Sequence, residues 1–169
     1  AKWFYDDPSK SDPHGDGNQV AFLGRSLVEP MKAAQSELLL TSAYFVPREG
    51  GENLLLDIRN KGVDISVLTN SLATTDVLAV HSGYSKSRER LLHGGVNMWE
   101  LRPIAGQQEL VDLFDHWTSE DFAYHVTLNE DDDIQWQAEG ETWTTEPTAS
   151  RFRRFMSWTL GWLPLDGQL

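Results

Sequence analysis

The sequence predicts an α/β fold: a mixed or parallel sheet flanked by helices, followed by a small antiparallel hairpin and an amphipathic C-terminal helix. Three observations predict it. Apolar runs without alternation, "ELLLTSAYFVP" and "DISVLTN", read as strands covered on both faces. Stretches with apolar residues at helical spacing stand between and after them. The connections are short, so strand, helix, strand, helix, strand calls for crossovers and parallel pairing.

Taken in order, residues 1–18 mix Pro, Gly, Ser and Asp without a period and read as an extended segment. From Gln19, the residues Val20, Phe22, Leu23, Leu27, Met31 and Ala34 fall near helical spacing, and Pro30 is expected to break or bend the run. The first strand follows within "ELLLTSAYFVP", then a loop at Gly50 and Gly51 and a helix from Glu52 to Lys61. "KGVDISVLTN" is a glycine-ended helix followed by the second strand. Asp76 to His93 reads as a longer helix, stopped by Gly94 and Gly95, and "VNMWELRP" as the third strand. "FAYHVTLNEDDDIQWQAEGETWTTEP" alternates apolar and polar residues around "NEDDD" and Gly140, the pattern of an antiparallel hairpin or meander. "TEPTASRFRRFMSWTLGWLPLDGQL" sets a proline near a helix start and a stop at Gly161 or Pro164. The resulting divisions are 1–18, an α/β domain over 19–128, and the hairpin with its C-terminal helix over 129–169.

The net charge of −12 is unevenly spread. No Lys or Arg lies between Pro103 and Ser150, while Glu109 to Glu146 carry 12 acidic residues, so a solvated acidic face is expected there. Phosphate neutralisation needs a basic surface, and only the last segment has one, so nucleic acid is not an expected partner. The sequence has no cysteine and therefore neither disulfides nor thiolate metal sites. No stretch reaches the roughly 20 apolar residues of a spanning helix, and the first ten residues lack a signal-peptide apolar run, so a soluble chain is expected.

Other chemistry is thin. "NEDDD" lacks the ligand spacing and glycine of a calcium loop and reads as a solvated turn. His116 with Glu120, and His93 with Glu89, sit four apart without a third ligand, so no metal site is expected, and no glycine-rich phosphate loop precedes a helix. The last helix is different: Arg151, Arg153 and Arg154 sit beside Phe152, Phe155, Met156, Trp158 and Trp162, the composition of a helix lying in a membrane interface. Packing of that helix on its own domain is the competing reading.

The stretches "SAYFVP", "GVDISVLTNSLATTDVLAVHSGYSKSRERLLHGGVNMWELRP" and the ending from Thr145 resemble the C-terminal half of bacterial cardiolipin-synthase-like proteins of the phospholipase D superfamily. The resemblance implies a phospholipase-D-like fold over 19–128 and chemistry on phospholipids, either phosphatidyl transfer or phosphodiester cleavage, through a covalent phosphohistidine and without a cofactor. The family's signature is His-x-Lys-x4-Asp, in which imidazole attacks phosphorus and lysine stabilises the phosphoryl charge. None of the 5 histidines here is followed two positions later by lysine, and "IAGQQ" stands where the signature is expected after the third strand. No catalytic residue is therefore assigned. Loss of the signature strands should leave the "NMWEL" strand open at an edge or paired with something new, such as a second copy.

Ligands of such sheets gather at the strand carboxyl ends, where "SAYFVPREGG" and "TNSLATTD" lie. Tyr44, Thr69, Asn70 and Ser71 are the candidate substrate-binding residues, with His81 as a packing or pocket-lining neighbour rather than a nucleophile. Expected partners are anionic phospholipid or a membrane surface, and a further copy or a complementary N-terminal half. By the resemblance, the place is the cytoplasmic face of the bacterial inner membrane. A non-catalytic membrane- or partner-binding module is the alternative.

Overall fold

Six strands run across one sheet in sequence order, β1 (Glu37–Thr41), β2 (Asp64–Asn70), β3 (Asn97–Leu101), β4 (Ala123–Leu128), β5 (Ile134–Ala138) and β6 (Glu141–Trp143). This computed structural model describes residues 23–103, 118–119 and 121–161. The first three strands are parallel and the last three add on antiparallel, so the sheet is mixed. Helices α1 (Leu23–Lys32), α2 (Arg48–Asn60), α3 (Leu78–His93) and α4 (Arg151–Gly161) complete the α/β architecture. α1 lies beside α2, α2 beside α3, and α3 beside α4.

The strand register explains the core. Leu40, Val67, Met98, Val126, Trp136 and Trp143 stand opposite one another from strand to strand, forming one apolar row across the sheet. Leu55 and Ile58 of α2 and Tyr84 and Leu91 of α3 pack on this row, and all four are at most 2% exposed. At roughly 1.5–3 kcal/mol for each large side chain removed from water, this layer is the main stabilising element. Each crossover helix ends on a glycine in the left-handed region, Gly62 (φ 89°) after α2 and Gly95 (φ 78°) after α3, which turns the chain into the next strand without a Cβ clash.

Four expectations need correction. Gly50 and Gly51 do not form a loop: α2 begins at Arg48 and takes both glycines into its first turn. β1 is an edge strand packed on one face only: its residues alternate between exposed and half-buried, and Leu39 is 43% exposed. Pro30 lies inside α1 without breaking it: it removes only its own N–H donor, and the helix end is still bonded past it, the Ala33 N–H donating to the Glu29 and Pro30 carbonyls at 3.1 and 3.2 Å. Finally, β3 is not left open. Its free side is closed by β4 of the same chain, Met98 opposite Val126 and Trp99 opposite His125, so the sheet closes without a second copy. Trp99 and His125 stack at 4.4 Å on the far face and reinforce that junction. The "NEDDD" turn is held by Asn129, whose Oδ1 accepts the Asp131 and Asp133 backbone N–H groups at 2.9 and 2.8 Å.

Candidate functional site

Two polar groupings form around the N-terminal half of α3. The first is open and lies at the carboxyl ends of the parallel strands. Tyr44, just after β1 and 49% exposed, donates its hydroxyl to Asp76 Oδ1 at 2.6 Å across 32 residues of sequence. That hydrogen bond holds the Asp76 carboxyl below its ordinary range and pushes the Tyr44 phenol up. Asp76 ends the loop that runs from β2 to α3. Ser71 shapes this loop: its Oγ accepts the Thr74 N–H at 3.3 Å and its carbonyl accepts the Thr75 N–H at 3.0 Å. Thr69 and Ser71 are buried, whereas Asn70 between them is half-buried.

The second grouping is closed. Glu100 lies two residues beyond Met98 on β3 and so points to the same core-facing side, where it is fully buried. Its carboxylate accepts from Tyr84 Oη at 2.9 Å, Arg88 Nη1 at 2.8 Å and the Trp136 indole N–H at 2.9 Å. Tyr84 and Arg88 are four apart on α3 and therefore share a face. Arg88 Nη1 also donates to Glu146 Oε1 at 2.9 Å, and its guanidinium carbon stands 4.7 Å over the Trp136 ring. His81, in the first turn of α3 and 3% exposed, sets Nε2 at 3.2 Å from the same Glu146 Oε1 and meets the Tyr84 ring edge-on.

One cation thus faces two carboxylates, Glu100 fully buried and Glu146 half-buried. Burial works against ionising Glu146, but the Arg88 charge and the His81 hydrogen bond outweigh it and hold the carboxyl at about 2. Burial likewise opposes the Arg88 charge, yet Glu146 and Glu100 together raise its pKa above the ordinary arginine value. Burial first, and then the Glu100 charge, push the Tyr84 phenol well up, so it stays a hydrogen donor. Two atoms, Arg88 Nε and Glu146 Oε2, are buried without a hydrogen-bond partner. The cluster holds α3, β3, β5 and the segment before α4 to one another; a ligand has no route to a Glu100 carboxylate that is 0% exposed.

α4 is fastened to both groupings by arginines. Arg153 donates Nε to the Leu72 carbonyl at 2.9 Å and Nη2 to the Thr75 carbonyl, gripping the β2–α3 loop. Arg154 donates Nε and Nη2 to the Glu146 carbonyl at 3.2 and 2.7 Å. Arg151 is exposed, as are Phe155 (57%) and Trp158 (61%). Trp162, His116 and Glu120 lie outside the described residues. Between α3 and α4 opens a cavity of about 360 Å3, lined among others by Lys86, Arg88, Glu146, Arg154 and Trp158. Among the described residues no three His, Asp or Glu side chains converge as a metal site would require, and His93 stands 3.9 Å from Glu89 alone.

The structure thus brings Tyr44 to the loop that begins after Thr69 and Asn70, but turns His81 toward Glu146 in the closed cluster. Arg88, Glu100 and Glu146 were not singled out from sequence. A charged residue two positions from Met98 in a core strand was the signal available for Glu100.

Comparison with known proteins fits this geometry. The chain is 40% identical over 102 residues, or 60% of its length, to cardiolipin synthase C of Escherichia coli. It is a partial relative of the cardiolipin-synthase-like proteins of the phospholipase D superfamily. Uncharacterized proteins from two Helicobacter pylori strains match at 30% identity over 98 residues and 31% over 72. These matches take in 57% and 43% of the chain. The chain spans 21%, 18% and 14% of the lengths of these three relatives. No protein-family model and no solved structure matches. The mixed sheet flanked by helices, with a C-terminal helix, is consistent with a phospholipase-D-like fold. No described helix is long and apolar enough to cross a membrane.

Proposed function

We propose that these residues are the phospholipid-handling portion of a cardiolipin-synthase-like protein that acts in phosphatidyl transfer or phosphodiester cleavage. The His-x-Lys-x4-Asp set for that chemistry is absent from this sequence. The observation that carries the reading is the 40% identity to cardiolipin synthase C, whose name is that of a phospholipid-forming protein. The geometry supports it at the carboxyl ends of β1 and β2. Asn70 offers an amide, and the exposed Tyr44–Asp76 pair offers an acceptor suited to a headgroup hydroxyl, since a carboxylate repels the phosphate itself.

Titration with a water-soluble short-chain phosphatidylglycerol, followed by amide chemical shifts, tests this. Shifts should cluster at Tyr44, Asn70 and Ser71 to Asp76, and Tyr44→Phe with Asp76→Asn should weaken binding by about tenfold, the loss expected for one good polar contact. Shifts absent from that loop sink the reading. A second reading, a non-catalytic membrane- or partner-binding module, is favoured by the exposed aromatic side chains of α4. The two differ in turnover: supplying the phosphohistidine set in trans should restore phosphatidyl transfer under the first reading only.

A further inference from the structure

Three aromatic side chains of α4 form an exposed stripe. Phe152, Phe155 and Trp158, at i, i+3 and i+6, are 69%, 57% and 61% exposed, and the rings of Phe155 and Trp158 lie 6.4 Å apart. The opposite side of the helix rests on α3, with Gly161 close enough to Ser82 that a Cβ there would stand 3.4 Å from its Oγ. The helix segment RFRRFMSWTLG contains three arginines and no acidic residue, in a chain of net charge −12. Arg153 and Arg154 bond backbone carbonyls, which are neutral, so their charge remains uncancelled by those contacts.

We infer that the Phe152–Phe155–Trp158 stripe is a docking surface for the interface of an anionic phospholipid bilayer, with α4 lying in the membrane plane. Aromatic rings settle at headgroup depth, and a cationic helix is attracted to anionic lipid. A second copy fits the same surface poorly, because α4 against α4 sets one exposed arginine, Arg151, near another with no acidic residue on the helix to answer it. The grip of Arg153 on the Leu72 and Thr75 carbonyls has a further effect: a docked α4 carries the β2–α3 loop, with the exposed Val77 and the Tyr44–Asp76 pair, toward the lipid. The surface therefore deepens the phospholipid reading above and rests on it for its occupant.

The roles of the three arginines separate. Arg151 is exposed and contributes attraction to the surface, whereas Arg153 and Arg154 position the helix. The test is co-sedimentation of the full chain with phosphatidylcholine vesicles containing phosphatidylglycerol. Phe152→Ser, Phe155→Ser and Trp158→Ser together should weaken binding by at least about tenfold while leaving the fold unchanged, as the residues are exposed. Arg151→Gln should weaken it by about fivefold and flatten its salt dependence. Leu39→Ser, an equally apolar exposed site on β1, should leave binding as it was. The inference is overturned if the parent does not bind, if the triple variant binds like the parent, or if Leu39→Ser is as harmful. It is also overturned if the parent is a lipid-free dimer that the triple variant converts to monomer. Vesicle binding without response to soluble short-chain lipid keeps this surface and discards the headgroup site; the converse discards this surface alone.

Discussion

The two polar groupings beside α3 contain the same kinds of groups, tyrosine hydroxyls and carboxylates, yet differ in surroundings. Tyr84 donates its hydroxyl to Glu100 in full burial, within reach of Arg88; Tyr44 donates its hydroxyl to Asp76 at the exposed surface. In the buried case the low-dielectric surroundings make each partner indispensable, because an unpaired buried charge is far costlier than an exposed one. In the open case water can replace either partner, so the pair is available to a ligand. Burial, rather than residue type, separates the structural grouping from the candidate binding one.

Changes that strip a partner from the closed cluster should have the largest effects. Glu100→Ala leaves the Arg88 charge facing only Glu146 and removes the acceptor of Tyr84 and Trp136. It should destabilise the fold by about 3–5 kcal/mol in urea denaturation. A loss under about 1 kcal/mol would show that the cluster is not indispensable. Acid gives the next largest effect. Folding holds the Glu146 carboxyl at about 2 against an ordinary 4.5, so its contribution is whole above pH 4.5 and is lost as pH falls toward 2. The loss should be on the order of 3 kcal/mol, and Glu146→Gln should remove this part of the pH dependence in thermal melts. The smallest effect belongs to the open pair. Asp76→Asn should leave the denaturation midpoint unchanged and return the Tyr44 phenol toward its ordinary pKa in an ultraviolet titration. A shift of the midpoint there would erase the distinction between the two groupings.

Much of the fold was legible because strands and helices announce themselves locally: "DISVLTN" and "NMWEL" by composition, α3 by spacing and its closing glycines. The hairpin around "NEDDD" followed from alternation. What was not legible depends on partners far apart in sequence. The closure of β3 by β4 pairs Met98 with Val126, and nothing local in "NMWEL" foretells which strand arrives on its free side. The one-sided packing of β1 follows from its place at the edge, invisible in a run such as "ELLLT". Arg88, Glu100 and Glu146 are spread over three separate elements, and only the folded chain makes one cluster of them. In α4 the residue types were plain, but the carbonyls that hold Arg153 and Arg154 were not. The candidate site residues Tyr44, Thr69, Asn70 and Ser71 came from the rule about strand ends, while the pairing of Asp76 with Tyr44 exists only in the folded chain.

The strand order, β1 to β6 without a permutation, bears on how the chain reaches this state. Each strand joins the one that precedes it, so no strand has to thread between two others already paired. Loop closure is short only from β4 through β6; the three earlier pairings each close over a connection of more than twenty residues, so the unpermuted order removes threading without making assembly local. A ribosome delivering the chain from its N-terminal side presents the strands in the order in which the sheet can add them, each new one finding its neighbour already in place.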